Sequence, residues 1–302
     1  MEVAITGASG LVGTALARSL RRDGHTVRPV VRRPSADAGA IHWDPAGGTI
    51  DGDALDGIDA VVHLAGAGIG DKRWSPERKR EIRESRVMGT GLLTRTLAAL
   101  PQPPAVLVSA SAVGYYGERG DEELTESSPP GDTFISELVE AWEGAARPAV
   151  DAGIRTVFTR SGMVLSTEGG ALPRMVPLFR FFVGGRLGSG RQWWSWVSID
   201  DEVGAIRFAI DRSDVAGPVN LTAPEPVTNA QFTAALGSVV HRPTVLPIPA
   251  FGPRLALGRE LADELLFTSQ RVLPTVLTTA GYPFAHSELH TALRALLGSP
   301  AA

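Results

Sequence analysis

The amino-acid sequence predicts an α/β protein in which a doubly wound parallel sheet carries a smaller C-terminal α/β lobe. Apolar runs typical of buried strands alternate with helical patterns over residues 1–165, as in a parallel sheet covered by helices. A glycine-rich turn follows the first of these runs and opens the first helix. After residue 165 the elements become shorter and glycine pairs separate them, which indicates a second, smaller unit.

The first β-α-β unit is predicted over residues 2–31. Residues 2–6 have the apolar pattern of a buried strand, and residues 25–31 have the pattern of a second one. Between them, apolar residues recur at helical spacing until Gly24 ends the helix. A strand, a helix and a second strand form the smallest unit of a parallel sheet.

The alternation of strands and helices continues along the chain. Three further strands are predicted over residues 59–64, 105–109 and 155–160. Ser75 is suited to cap a long helix, and Asp132 is suited to cap the next one. Residues 228–231 form a capping box that opens a later helix, and residues 251–267 have a helical pattern.

Two domains are predicted from the change of pattern at residue 165. The first spans residues 1–165, and residues 195–221 return to it. The second is a smaller substrate lobe over residues 166–302, and its C-terminal domain covers about 245–302. A substrate cleft is expected between the two.

The composition restricts the chemistry of the protein. The chain has 302 residues, 43% of them hydrophobic, and a net charge of −4, which argues against a nucleic-acid partner. Because cysteine is absent, thiolate zinc sites are excluded, and we predict no metal. We expect neither a signal peptide nor a membrane span, and therefore a cytoplasmic protein with no membrane partner.

The glycine-rich turn has the features of a dinucleotide-binding loop. Residues 6–13 fit the pattern G-x-x-G-x-x-G between a strand and a helix. Small residues let the backbone approach a pyrophosphate, to which the helix N-terminus offers free N–H groups. A turn without a ligand is the alternative, but this context favours a Rossmann-type dinucleotide domain. The residues predicted to bind the cofactor are Gly7, Ala8, Ser9, Gly10, Leu11, Val12 and Gly13.

The end of the second strand indicates which dinucleotide is bound. An acidic residue there would bind the ribose 2′-hydroxyl of NAD. The chain has Arg32 and Arg33 instead, and two guanidinium groups can bind a 2′-phosphate in bidentate fashion. A solvated arginine pair is the alternative. The sequence therefore favours NADP(H) as the cofactor of the first domain.

Several short segments along the whole chain carry a family resemblance. They include SASAVGYYG at 109–117 and NLTAPEP at 220–226, and the remainder lie at 6–13, 64–66, 73–74, 85–86, 142–143, 188–192, 195–196 and 241–243. This set resembles the extended short-chain dehydrogenase/reductases, the NAD(P)-dependent epimerase/dehydratases. It is most similar to an atypical branch with a C-terminal domain of unknown function.

The resemblance implies roles for residues outside the glycine loop. Ser111 matches the active-site serine or threonine that bonds a substrate oxygen, and a small-molecule substrate is expected. Further residues are implied to line the cofactor, and Arg86 is implied to bind a pyrophosphate or an anionic substrate group. The residues so implied are Leu64, Ala65, Gly66, Arg86, Ser109, Arg160, Ser161, Gly162 and Met163.

The Tyr-x-x-x-Lys dyad of the wider family is missing from this chain. In the family, the tyrosine exchanges a proton with the substrate, and the lysine supplies the cation that a phenol with a pKa of about 10 needs. Phe134 and Leu138 occupy the corresponding helix positions. The other catalytic candidates are therefore Ser111, Tyr115 and Tyr116, with Glu137 as a further one.

The sequence leaves two functions open. The first is an NADP(H)-dependent oxidoreductase or epimerase-like enzyme in which Ser111, Tyr115 or Tyr116 acts without the dyad. Arg119, four residues after Tyr115, has the spacing of the dyad lysine and could supply the cation for that tyrosine. The second is a non-catalytic NADP(H)-binding regulatory protein, since some relatives are associated with cell division. For both tyrosines, packing against the cofactor loop without a catalytic role is a third interpretation.

Overall fold

The computed structural model describes residues 1–33, 35 and 37–298. The strands are β1 (Glu2–Thr6), β2 (Thr26–Val31), β3 (Ile41–Asp44), β4 (Thr49–Ile50), β5 (Ala60–His63), β6 (Val106–Ala112), β7 (Glu123–Leu124), β8 (Arg155–Ser161), β9 (Met163–Leu165), β10 (Trp193–Trp194), β11 (Trp196–Ser198), β12 (Gly217–Leu221), β13 (Val227–Thr228) and β14 (Arg271–Val272).

Helices connect most of these strands. They are α1 (Leu11–Arg22), α2 (Pro76–Ala98), α3 (Phe134–Gly144), α4 (Arg147–Asp151), α5 (Leu172–Arg180), α6 (Ile199–Asp211), α7 (Asn229–Val239), α8 (Phe251–Leu257), α9 (Arg259–Ala262), α10 (Thr275–Thr279) and α11 (Leu289–Leu297). None of the helices in the described ranges combines the length and apolarity needed to cross a membrane.

The main sheet has eight strands in the order β12-β8-β6-β5-β1-β2-β3-β4. All neighbours pair in parallel except β3 and β4. The strand order reverses between β1 and β5, and ligands of such sheets bind in the crevice at that point, beyond the carboxyl ends of the strands. This architecture confirms the predicted fold class.

Helices cover both faces of the sheet because each carries one apolar stripe. On one face, Leu16 and Leu20 of α1 and Ile206 of α6 pack into a core with β1. On the other face, Leu93 and Leu97 of α2 pack against a second core. Such layers bury the apolar strands on both sides, and in open sheets of this kind ligands bind beyond the carboxyl ends of the strands.

The smaller lobe packs around a third core. Trp196, Phe232 and Leu293 belong to this core, and the two-stranded sheets β10-β13 and β11-β9 contribute to it. The third two-stranded sheet, β14-β7, packs with Tyr116 in a separate small cluster. The capping box at the start of α7 is confirmed, since Thr228 and Gln231 bond reciprocally. β12 precedes this helix and forms an edge strand of the main sheet.

Local structure differs from the sequence prediction at three places. Residues 251–267 form α8, α9 and a π-helical turn, because Gly258 has a φ of 91° and interrupts the helix. Thr133, not Asp132, caps α3. Strands β3 and β4 extend the sheet where no strand was predicted. The three causes are a glycine in the left-handed region, a neighbouring polar residue that competes for the cap, and the pairing of β3 with β2.

Candidate functional site

The glycine loop connects β1 to α1 at the point where the strand order reverses. Gly7 has a φ of 68°, and a Cβ atom there would lie 2.9 Å from Leu64 O. A Cβ atom on Gly13 would collide with the Gly7 carbonyl and lie 2.9 Å from Ala8 Cα. No side chain caps α1 at Gly10, so the first-turn amides are left for an anionic group.

A buried hydrogen-bond network fixes the segment that faces this loop. Thr6 Oγ1 accepts bonds from the amides of Leu64 and Ala65, each 3.1 Å long. The same oxygen lies 2.7 Å from His63 Nδ1, and His63 Nε2 lies 3.0 Å from Thr90 Oγ1. Burial, with a smaller effect of the Arg86 cation, lowers the pKa of His63 to about 4. The neutral imidazole therefore holds this segment rigid at physiological pH.

Arg86 is a buried cation beside the same segment. It is 7% exposed, its Nη1 donates to Ala67 O at 2.9 Å, and its guanidinium lies 4.9 Å from the ring of Trp142. Its Cζ is 3.2 Å from the place of a Cβ on Gly66, and its buried Nε has no hydrogen-bond partner within the described chain. Burial lowers its pKa to about 10, so the cation persists and is suited to an anion.

Arg32 and Arg33 lie exposed directly after β2. Within the described residues, neither has a carboxylate within 4.0 Å. Exposed guanidinium groups at the end of the second strand match the position where the ribose of a dinucleotide is recognised in this fold. Their placement agrees with the role predicted from the sequence, and that role stays a prediction.

A polar row crosses three neighbouring strands at the carboxyl edge. Ser111 of β6 stands opposite Arg160 of β8, which stands opposite Asn220 of β12. Ser111 Oγ donates to Glu143 Oε1 at 2.6 Å. Arg160 donates to both oxygens of Glu143, at 2.8 Å each. Glu143 of α3 therefore joins Ser111 and Arg160 in one network, a role that the sequence did not indicate.

The two tyrosines differ in what they can do. Tyr116 is fully buried; its hydroxyl donates to Asn220 Oδ1 at 2.7 Å and accepts from Arg160 Nη1 at 3.1 Å. Burial raises its pKa, although the Arg160 cation opposes this. The structure thus places Tyr116 as a support of Arg160 rather than at the solvent-facing side of the site. Tyr115 is half-buried, and Arg160 Cζ lies 3.5 Å from its ring centroid.

The pairing of Tyr115 with Arg119 is wrong. Arg119 instead forms a bidentate ion pair with Glu122, at 2.8 and 2.6 Å. The chain turns after Tyr116, so a four-residue spacing does not bring the two side chains together as it would in a helix. The cation beside Tyr115 is Arg160, which comes from another strand and could not be found by spacing.

The position of the missing dyad is filled by apolar side chains. α3 contains no tyrosine and no lysine. The ring of Phe134 packs against Trp74 with centroids 5.1 Å apart, and Lys79 Nζ lies 4.7 Å from the Phe134 centroid. Lys79 also pairs with Glu260 of α9. The start of α3 is thus covered by α2 and by the C-terminal lobe.

The segment after β8 packs closely against the residues that precede β11. Met163 donates its amide to Ser195 O at 2.8 Å, and a Cβ on Gly162 would lie 2.6 Å from the same oxygen. Ser161 Oγ donates to Glu202 Oε1 at 2.6 Å. Ser109 is buried within β6, two residues before Ser111. Apart from Ser109 and Tyr116, the predicted site residues therefore converge on the carboxyl edge of the sheet.

The buried Glu202 predicts a pH-dependent stability. Burial raises the pKa of Glu202 to about 7 from 4.5, although the Ser161 hydroxyl opposes this, and Glu202 Oε2 has no partner in the described chain. The folded state thus favours the protonated acid. Its contribution to the stability of the fold is complete below pH 4.5 and is lost as the pH rises through 7. We expect the free energy of unfolding of Glu202→Gln to equal that of the wild type at pH 4.5. At pH 8 we expect it to be about 3 kcal/mol higher than that of the wild type.

Urea unfolding at both pH values measures this difference. Glu84→Gln is the matched control, since Glu84 is exposed on α2. We expect no pH-dependent difference between that variant and the wild type. A gain from Glu202→Gln that is equal at both pH values would contradict the assignment of the buried charge.

The chain matches known proteins along most of its length. Residues 3–221 match the model of the NAD dependent epimerase/dehydratase family, and residues 248–296 match a domain of unknown function, DUF1731. The epimerase family protein ML0860 of Mycobacterium leprae is 46% identical over 96% of this chain and 94% of its own length.

Two solved structures are similar in both sequence and fold. The human epimerase family protein SDR39U1 with NADPH is 37% identical, with a TM-score of 0.90 over 98% of this chain and 99% of that one. A nucleoside-diphosphate sugar epimerase from Corynebacterium glutamicum is 39% identical, with a TM-score of 0.83 over 99% of this chain. This chain spans 58% of the length of that protein.

Proposed function

The chain belongs to the NAD dependent epimerase/dehydratase family, and from that premise we propose that it is an NADP(H)-dependent, epimerase-like oxidoreductase with a small-molecule substrate. The family match bears out the resemblance found in the sequence. The proposal rests on two features at the same edge of the sheet. The glycine loop lies where the strand order reverses, and the polar network around Ser111 lies beside it.

The residues present fit a dinucleotide. A Cβ on Gly7 or Gly13 would collide with neighbouring backbone, so these glycines allow the tight turn that presents the first-turn amides of α1 to a pyrophosphate. Arg86, a buried cation with an unpartnered Nε in the described chain, supplies positive charge beside Gly66. When bound, NADP(H) provides or accepts the hydride. The glycine loop and Arg86 would hold it at the carboxyl edge of the sheet.

Recognition of the 2′-phosphate is assigned to Arg32 and Arg33. The similar human protein was solved with NADPH, which supports this choice of cofactor. Two exposed guanidinium groups can each donate two parallel hydrogen bonds to a phosphate. They therefore favour NADP(H) over NAD(H), which lacks this phosphate.

Ser111 is proposed to orient the substrate, and Tyr115 to exchange the proton. Because Ser111 Oγ donates its hydrogen to Glu143, its lone pairs are directed to accept a bond from a substrate hydroxyl. The Tyr115 hydroxyl makes no hydrogen bond within the described chain, and Arg160 fixes its ring. Tyr115 is thus the free phenol of the pair.

Removing both arginines tests the cofactor assignment. We expect Arg32→Ala/Arg33→Ala to weaken NADPH binding by about 100-fold while changing NADH binding less than about threefold, because only NADPH loses a charge-assisted contact. Titration calorimetry with both dinucleotides measures the change. Arg80→Ala/Arg83→Ala, two exposed arginines on α2, is the matched control. Equal losses for both dinucleotides would argue against recognition of the phosphate.

Turnover of NADPH with a panel of aldehydes, ketones and nucleotide sugars tests the activity. We expect Ser111→Ala and Tyr115→Phe each to lower kcat/KM by about 100-fold, the size of a lost orienting or proton-transfer group, with NADPH affinity unchanged. Ser166→Ala, another buried serine, is expected to keep full activity.

The absence of tyrosine and lysine from α3 favours a second function, a non-catalytic NADP(H)-binding regulatory protein. Tight NADPH binding with no turnover of any compound in the panel would support this second function. Turnover that Ser111→Ala abolishes would exclude it.

A further inference from the structure

We propose that an exposed apolar patch on the smaller lobe docks onto a bilayer surface that contains anionic phospholipids. The patch, called the Phe182 patch below, consists of residues 178–183 at the end of α5 and residues 245–255 around the start of α8. It lies outside the residues assigned to the cofactor or the reaction. The expectation of no membrane partner rested on the lack of a membrane-spanning segment, and the described residues contain no such helix. Interfacial docking needs no such segment, so the proposal replaces that expectation.

Large apolar side chains are concentrated in this patch. In the first segment, Phe181 is 78% exposed, Phe182 62% and Val183 59%. In the second segment, Val245 and Leu246 are exposed, as are Phe251 and Leu255 on α8. Single exposed apolar residues are normal on protein surfaces, but a cluster of this kind marks an interaction site.

The two segments lie side by side in the folded lobe. Arg242 Nε donates to Arg180 O at 3.3 Å, and the Arg242 guanidinium lies 5.1 Å from the Phe182 ring. The amide of Ile248 donates to Arg186 O at 2.8 Å. Residues 180–186 and 242–248 therefore lie against each other, which brings the two segments of the patch together.

The backbone at the patch is strained. Phe182 has a φ of 62° and His241 a φ of 54°, and they are the two non-glycine residues with positive φ in the described part of the chain. Phe182 lies within the patch, and His241 lies four residues before its second segment. A phenylalanine in this region is an uncommon conformation that persists only where the surroundings enforce it, and such strain clusters at functional sites.

The charge around the patch is predominantly positive. Residues 169–199 contain four arginines and residues 226–259 contain three, and neither stretch contains an aspartate or glutamate. Arg174, Arg254 and Arg259 pair with acids from other segments. The remaining arginines, without a carboxylate within 4.0 Å in the described chain, are Arg180, Arg186, Arg191 and Arg242. This excess of positive charge is complementary to anionic headgroups.

The chemistry of the patch favours a bilayer over a second copy of the chain. A two-fold contact would place the arginine rim of one copy against the same rim of the other, which like charges oppose. The amides of Phe181, Phe182 and Val183 donate to Pro177 O, Phe179 O and Leu178 O. Because these three amides are already hydrogen-bonded, the segment can enter an apolar medium without an unsatisfied donor, as insertion into lipid requires.

Co-sedimentation with vesicles tests the proposal. Vesicles of phosphatidylcholine with 30% phosphatidylglycerol are expected to bind the protein at least ~10-fold more tightly than pure phosphatidylcholine at low salt, and 0.5 M NaCl is expected to remove the difference. The Phe181→Ser/Phe182→Gly variant is expected to lose binding to both kinds of vesicle. Glycine tolerates the φ of residue 182, so this variant is expected to keep its thermal stability.

A charge variant and matched controls complete the test. Arg180→Gln/Arg186→Gln is expected to lose the preference for phosphatidylglycerol, whereas Met88→Ser and Arg80→Gln/Arg83→Gln, exposed on α2, bind as the wild type. NADPH affinity is expected to be unchanged in all four, which separates the result from the proposed function. Absence of wild-type binding to the anionic vesicles would overturn the proposal. So would a dimer in sedimentation velocity that Phe181→Ser/Phe182→Gly converts to a monomer.

Discussion

We expect Gly13→Ala to abolish NADPH binding, with an increase in Kd of at least ~100-fold. The Cβ atom of an alanine at this position would collide with the Gly7 carbonyl and would lie 2.9 Å from Ala8 Cα. Both neighbours are backbone, so neither can rotate away as a side chain would. The loop must therefore move away from α1, and its amides lose the directions that converge on the pyrophosphate.

The measurement is a thermal-shift titration with NADPH, confirmed by calorimetry. A ligand present at 100 times its Kd stabilises the folded state by about 2.7 kcal/mol, and we expect this gain to disappear in Gly13→Ala. Gly144→Ala is the matched control, since nothing lies within 4 Å of a Cβ there and NADPH binding is expected to be unaffected. Wild-type affinity in Gly13→Ala would show that the loop is not the pyrophosphate site.

The structure of the glycine loop could be predicted from the sequence because the signal is local. The strand β1, the glycine loop and α1 are consecutive in the chain. Small residues are needed at Gly7 and Gly13 because of contacts within the loop itself and with the end of the neighbouring strand β5. The parallel sheet follows from the same local alternation of strands and helices. Arg32 and Arg33 are also placed by their position directly after β2.

The network around Ser111 could not be predicted in the same way. Glu143 reaches Ser111 from 32 residues away, and Asn220 reaches Tyr116 across 104 residues. Such contacts depend on strand order and on how α3 packs, which short-range patterns do not contain. The spacing argument for Tyr115 and Arg119 failed for the same reason, because Arg160 comes from a neighbouring strand.

The largest effect on stability is expected from Glu143→Ala. Arg160 and Glu143 are paired with side-chain exposures of 4% and 13%. Removing the carboxylate leaves a buried guanidinium without its counter-charge, which costs about 3–5 kcal/mol. Urea unfolding measures this loss. The exposed pair of Arg147 and Asp151, with exposures of 76% and 59%, is the matched control, and Asp151→Ala is expected to cost less than about 1 kcal/mol.

The double variant Glu143→Leu/Arg160→Met separates the two roles of this pair. Because no charge is then left buried, we expect it to recover at least about half of the stability lost in Glu143→Ala. It is not expected to recover activity, since Ser111 still lacks the oxygen to which its hydroxyl donates and Tyr115 lacks the cation over its ring. Recovery of both properties would mean that the pair serves folding alone. Recovery of stability alone would mean that the network orients Ser111 and Tyr115 toward the substrate.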